Sequence, residues 1–348
     1  MPKNVIDQNR LRQVFFILVL LAMGILLFLE LFTFLPAFLG AVTLYILLRK
    51  WMLYLTEKRK WRIGWTAALL MLLSFIIILV PVGLLINMLS SKVTYAIEHS
   101  TELMAALKKI INNIENQFNI TIASDANINK LGNSITASLP RILGATFNSL
   151  STIVFMYFIL YFMLVNAREM ETRLYEYVPL KDDNVVKVGK EIKTMVLSNA
   201  IGIPVIALAQ GLIGLIAYLI LGVKEPFFWF GVTCIAAMIP VVGAALAYVP
   251  VAIILFANGD NVRGIIMLIY GFGIIGSADN VLRFTLLRKL GDVHPLTTIF
   301  GVIIGLNLFG FIGLIFGPLL ISLFILLLKI YSNEFMVKQR EAHTTLEN

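Results

Sequence analysis

Apolar residues run in long blocks along this chain, divided by short charged loops. Val14–Leu35 forms the first block, and Phe38–Leu48 a short second one beyond Pro36. Ile63–Leu89, Ile142–Val165 and Ala200–Val223 follow, and Gly264–Ala278 is a short, glycine-rich block. Each predicts a membrane-spanning helix, because only helices and closed barrels satisfy their own backbone polar groups in lipid. Two stretches are longer still. Pro226–Ala257 and Leu296–Leu328 hold 32 and 33 residues without one Asp, Glu, Lys, Arg or His. As straight helices they would run ~50 Å, well beyond the ~30 Å hydrocarbon core. Both are broken near the middle, at Ile239-Pro240-Val241-Val242-Gly243 and at Leu308-Phe309-Gly310-Phe311-Ile312-Gly313. Irregular backbone at membrane depth is tolerated where it is buried in protein or lines a cavity, a transporter arrangement.

The expected fold class is therefore an all-α polytopic integral membrane protein with about six full spans plus two broken re-entrant hairpins. Eight spans is the alternative, if each long stretch crosses the bilayer. Two polar segments lie outside the spans. Within 90–140, Val93, Ile97, Met104, Leu107, Ile111, Ile114 and Phe118 recur at helical steps and predict an external amphipathic helix. Val185, Val188, Ile192 and Met195 form a similar stripe leading into the fifth span. The predicted organisation is 1–89 (three spans), 90–140 (external helical segment), 141–198 (fourth span and juxtamembrane helix), 199–330 (transport core) and 331–348 (polar tail). In the core, a span followed by a broken hairpin occurs twice, in opposite orientations.

Charge sets the orientation. Lys and Arg collect on the cytoplasmic side of membrane proteins. With the N-terminus inside and two hairpins, 21 Lys/Arg fall inside and 7 outside; with eight spans the division is 19 and 9. The expectation is a multi-pass plasma-membrane protein with both termini cytoplasmic. The formal charge of +8 resides in short juxtamembrane loops rather than in a basic domain. It therefore speaks for anionic headgroups of the lipid bilayer and not for nucleic acid. Lys3, Arg10 and Arg12 precede an apolar run with no small-residue cleavage site, so the first span is expected to be retained.

Polar groups inside apolar segments are costly and are candidates for function. Asp279 ends the short span, Asn280 follows it, and Arg283 stands four residues on, where the two charges share a helix face. Asp279 either binds a cation or proton, with Arg283 setting the charge state of its carboxyl group, or it forms a neutralised pair at a helix end. Asn307, three residues before Gly310, and Gln210 and Asn199 in the fifth span contact either substrate or neighbouring helices. Pro240, Gly243, Gly310 and Gly313 mark the two breaks. The glycines from Gly301 to Gly317 serve close helix contact or local unwinding. His294-Pro295 is a helix start or a proton relay.

Enzymatic readings find little support. The chain has no H-E-x-x-H, no histidine in a predicted span and no Walker motif. Its single cysteine, Cys234, excludes an intrachain disulfide and a multi-cysteine metal site. No cofactor and no catalytic residue are expected.

The chain resembles the autoinducer-2 exporter family of permeases over most of its length, through Gln210-Gly211, Ile239-Pro240-Val241-Val242-Gly243 with Pro250, and Asp279-Asn280-Val281-Leu282-Arg283. His294-Pro295-Leu296 and Phe309-Gly310 through Gly313 to Gly317-Pro318-Leu319 complete the set. Two positions depart from it: Phe284 stands where the family usually has Pro, and Ile304-Gly305 where it often has Gly-Gly. The resemblance implies a secondary transporter, often an exporter, assembled as a homo-oligomer. Its substrates would be small polar solutes, signalling molecules included, or monovalent cations exchanged for protons. A Na⁺(Li⁺)/H⁺ antiporter is the rival within transport, and a non-transporting membrane scaffold the rival outside it.

Overall fold

The computed structural model describes residues 8–98, 151–240, 243–290 and 295–332. These residues are helical, with no strand among them. Helix α1 (Gln8–Phe32) and helix α2 (Leu35–Leu53) are separated by a tight turn, with Pro36 in the first turn of α2, where its missing N–H costs nothing. A π turn, Tyr54–Lys58, extends α2. Helix α3 spans Ile63–Glu98, α4 Ser151–Val165 and α5 Ala167–Tyr177. The 39-residue α6 covers Asp182–Ile220. Then come α7 (Pro226–Ala236), α8 (Ala245–Ala257) and α9 (Asn261–Tyr270). A π turn, Gly271–Ile275, joins α9 to α10 (Gly276–Leu290). Last are α11 (Pro295–Phe309), a 3₁₀ turn at Gly310–Ile312, and α12 (Gly313–Tyr331).

Five helical segments among the described residues are long and apolar enough to cross a membrane: Arg12–Phe32, Leu35–Lys58, Asp182–Ile220, Asn261–Arg283 and Gly313–Tyr331. Helices α4 and α5, bent by 88°, make a sixth if taken as one span. Several predicted boundaries merge. The stripe Val185–Met195 and the fifth span form one helix, α6, because no Pro or Gly interrupts the junction. Likewise α3 runs past Leu89 to Glu98, so the first residues of the expected external helix continue the third span. The remainder of that segment, 99–150, lies outside the described residues, as do His294 and 333–348.

Both over-long stretches are broken where expected. In the first, α7 and α8 have 11 and 13 residues, about 17 and 20 Å, and touch one another across the break. In the second, α11 and α12 fold back as an antiparallel hairpin. Glycine backbones meet at its seam. A Cβ on Gly305 would lie 2.2 Å from the Gly313 carbonyl oxygen, and one on Gly301 2.5 Å from Pro318 Cα. Gly310 turns the corner with φ +60°, a left-handed conformation that glycine adopts without steric cost. Helix α12 alone, at 19 residues or about 29 Å, matches the hydrocarbon thickness.

Helix α6 organises the rest, packing against α2, α7, α10 and α12. Its C-terminal half joins α8 and α9 in one apolar cluster through Ala217, Tyr218, Val251, Leu255 and Met267. In its N-terminal half, Met195 and Val196 meet Phe309, Phe316 and Leu319 of the last hairpin. A separate cluster unites α2 to α5 through Leu44, Met52, Leu70, Leu160 and Leu164. Arg49 closes this unit at one end, donating from Nε and Nη2 to Oε1 and Oε2 of Glu171, 2.8 Å each.

The hairpin seam leaves no room for side chains. Gly305→Leu should lower stability by about 1–3 kcal/mol through overpacking, while Gly24→Leu, with nothing within 4 Å of its Cβ, should be near neutral. Thermal unfolding of the purified protein in detergent measures both; equal midpoints would contradict the backbone-contact seam.

Candidate functional site

Gln210 lies in the C-terminal half of α6 and is 1% exposed; Asp279 lies in the first turn of α10 and is 8% exposed. The Gln210 side-chain amide donates to Asp279 Oδ1. Arg283, one turn beyond on the same helix, donates from Nε to that same oxygen at 2.8 Å. Its Nη2 reaches away from α10 and donates to the Ala237 carbonyl at 3.1 Å. That carbonyl stands at the C-terminal cap of α7 and accepts no backbone hydrogen bond among the described residues. One guanidinium thus neutralises a buried carboxylate and satisfies a helix end.

The network ties three elements together: the long helix α6, the span α9–α10 and the break between α7 and α8. It does not saturate the carboxylate. Oδ1 accepts both hydrogen bonds, and Oδ2 has no donor among the described residues. A half-satisfied carboxylate beside a fixed cation has the chemistry to take up a proton or a small cation, or to accept a donor from a polar solute.

The break itself follows from its residues. Pro240 is buried within it and cannot supply a helical N–H. A Cβ on Gly243 would fall 1.9 Å from the Ala236 carbonyl oxygen and 2.4 Å from that of Ile239, so only glycine permits the chain to return so closely. Met238, in the same break, packs with Ile203, Val302, Leu306 and Leu314, which brings it against the second hairpin. Ile203 and Gln210 are seven residues apart on α6, two turns along one face. The break is therefore held by an apolar contact at one level and by Arg283 at another.

Of the residues predicted from sequence, Gln210, Asp279 and Arg283 come together, beside the break that contains Pro240 and Gly243. Gly310 opens the turn of the second hairpin, and Gly313 begins α12 against the Gly305 backbone. Asn280 is exposed and its Nδ2 donates to the Gly276 carbonyl in its own helix, 3.2 Å away. Asn307 is exposed on α11. Asn199 ties α6 to the second hairpin, donating to the Ile315 carbonyl at 3.1 Å. The Ala237 carbonyl carried no sequence signal, since every residue has one. Nor did the buried Tyr218–Thr233 hydroxyl pair, 2.9 Å apart, which joins α6 to α7; its residues look like ordinary span constituents. Among the described residues no group of three or more His, Cys, Asp or Glu is placed to hold a metal.

Comparison with known proteins agrees with this architecture. The pattern described as "AI-2E family transporter" matches residues 15–333. A protein of Aquifex aeolicus (strain VF5) named "Putative transport protein" is 34% identical over 173 residues, 49% of either chain. A Mycobacterium tuberculosis (strain CDC 1551 / Oshkosh) protein also named as a transport protein of that kind is 24% identical over 293 residues, 78% of this chain and 76% of its own. "Putative transport protein YdiK" of Escherichia coli (strain K12) is 34% identical over 123 residues, 35% of this chain and 33% of its own. The match thus spans about half the Aquifex protein and a third of YdiK. This chain is a multi-pass membrane protein, and it belongs to the AI-2E transporter family.

Proposed function

We propose that the protein is a secondary active transporter that exports a small polar solute or signalling molecule by alternating access, with Asp279 as the coupling residue for protons or sodium. The observation that carries this reading is the buried Asp279 carboxylate, held on one oxygen by Gln210 and Arg283, with no donor to the other among the described residues. Loading Oδ2 with a proton or cation weakens the pull of Asp279 on Arg283, and Arg283 also holds the Ala237 carbonyl at the break. Ion occupancy would thereby be coupled to the position of the broken α7–α8 segment. Membrane transporters place sites at such discontinuous helices near the midplane. The proposed setting is the plasma membrane, with both termini cytoplasmic and the protein assembled as a homo-oligomer. A Na⁺(Li⁺)/H⁺ antiporter would use the same carboxylate with a cation as the only cargo.

Flux in sealed proteoliposomes tests the reading, with a pH-sensitive dye inside and Na⁺, Li⁺ or K⁺ added outside. Cation-dependent proton movement is expected, and Asp279→Asn should abolish it. Unchanged flux in that variant refutes the coupling role. Proton movement unaffected by any polar solute favours the antiporter, competition by a solute favours the exporter, and silence across a solute panel favours a scaffold.

Stability measurements separate coupling from folding. Arg283→Met leaves a buried carboxylate unpaired and should cost about 3–5 kcal/mol. Adding Asp279→Asn to it should restore much of that loss, because the uncompensated charge is gone. Equal unfolding midpoints for the single and double variants would show that the two side chains do not act as a pair.

A further inference from the structure

Where α2 passes into α3, exposed cations and tryptophans are concentrated along the chain. Lys50, Lys58, Arg59, Lys60 and Arg62 are all exposed. None of them is in an ion pair among the described residues. The two acids that reach this end are already engaged: Glu57 by Arg168, and Glu171 by Arg49 and by the Tyr45 hydroxyl at 2.5 Å. Among the described residues the five cations are thus left without a counter-charge.

Aromatic rings stand among them. Three of the four tryptophans in the chain lie here, Trp51, Trp61 and Trp65, at 60, 47 and 75% exposure. Tyr54 is 41% exposed, with the Lys58 ammonium 5.6 Å from its ring centroid. The loop has a defined shape rather than a loose one. Lys60 takes φ +55°, a left-handed conformation unusual for a residue with a side chain, and the Trp61 N–H donates to the Leu55 carbonyl at 3.1 Å. Immediately beyond, α3 presents exposed Ile63, Leu69, Leu72 and Leu73.

We propose that this surface, Lys58–Arg62 with Lys50, Trp61 and Trp65, binds the headgroups of anionic phospholipids. The arrangement calls for an amphipathic ligand: an anionic phosphate against the cations and acyl chains against the apolar flank of α3. A soluble acidic protein meets the charge but not the apolar flank, and free phosphate meets neither the rings nor the flank. Tryptophan favours the headgroup level of a bilayer, and clustered Lys/Arg beside a span attract anionic lipid. The proposal is independent of the transport reading, since it requires only that α2 and α3 cross the bilayer.

Tryptophan quenching reports on it directly. The full-length protein is reconstituted in phosphatidylcholine vesicles and titrated with phosphatidylglycerol or phosphatidylcholine, each brominated near the headgroup. Brominated phosphatidylglycerol should quench at a mole fraction about fivefold lower or better, given the strength of one surface cation on anionic lipid. The combined variant Lys58→Gln, Arg59→Gln, Lys60→Gln, Arg62→Gln should erase the difference. The charge-keeping variant Lys58→Arg, Arg59→Lys, Lys60→Arg, Arg62→Lys should retain it. In the wild-type protein the preference should also fall as salt rises. Equal quenching by the two lipids, survival of the preference in the glutamine variant, or indifference to salt would each overturn the assignment.

Discussion

A helix that stops inside a membrane leaves carbonyls with no donor, and lipid supplies none. That constraint governs this structure. The chain stops helices at two places inside its apolar stretches and settles the exposed backbone differently at each. At the first break a side chain does it: the Arg283 guanidinium reaches from α10 to the Ala237 carbonyl while its Nε remains on Asp279. At the second, the tight 3₁₀ turn Gly310–Ile312 leads directly into the next helix.

The two solutions have different consequences. The second hairpin is welded along its length by glycine backbones too close to admit a methyl group. Such a seam has few ways to rearrange, because close-packed interiors shift between discrete states rather than deform smoothly. The first break depends on an ion pair and on the apolar contact of Met238 with Ile203 and Leu314. An electrostatic tie responds to the charge of its partner. In the proposed mechanism, the segment that moves is the one whose hold runs through Asp279.

Much of the site was legible because membrane burial makes polar residues conspicuous. Gln210, Asp279 and Arg283 stand out in apolar surroundings, and the four-residue spacing of the last two predicts their contact. Pro240 and Gly243 announce a break by their backbone chemistry. Asn307 and Asn280 carry the same signal, yet both are exposed. A polar residue in an apolar run has one-dimensional context only, and which face of the helix it occupies depends on neighbours that sequence spacing does not reveal. The merging of Val185–Met195 into α6 was hidden for a related reason: composition changes sharply there, but nothing in the backbone requires the helix to end.

By itself, the sequence determined which segments are apolar enough to be buried in lipid, where helices must break, and which residues would be costly there. These are local properties, set by transfer energies and by the backbone limits of proline and glycine. Only the tertiary structure decided that Gln210 and Asp279, 69 positions apart, share a hydrogen bond. It alone chose the Ala237 carbonyl, chemically identical to hundreds of others, as the partner of Arg283. Pairings of that kind arise from how α6, α10 and the broken segment cross, and helix crossing depends on the fit of whole surfaces rather than on any one residue's chemistry.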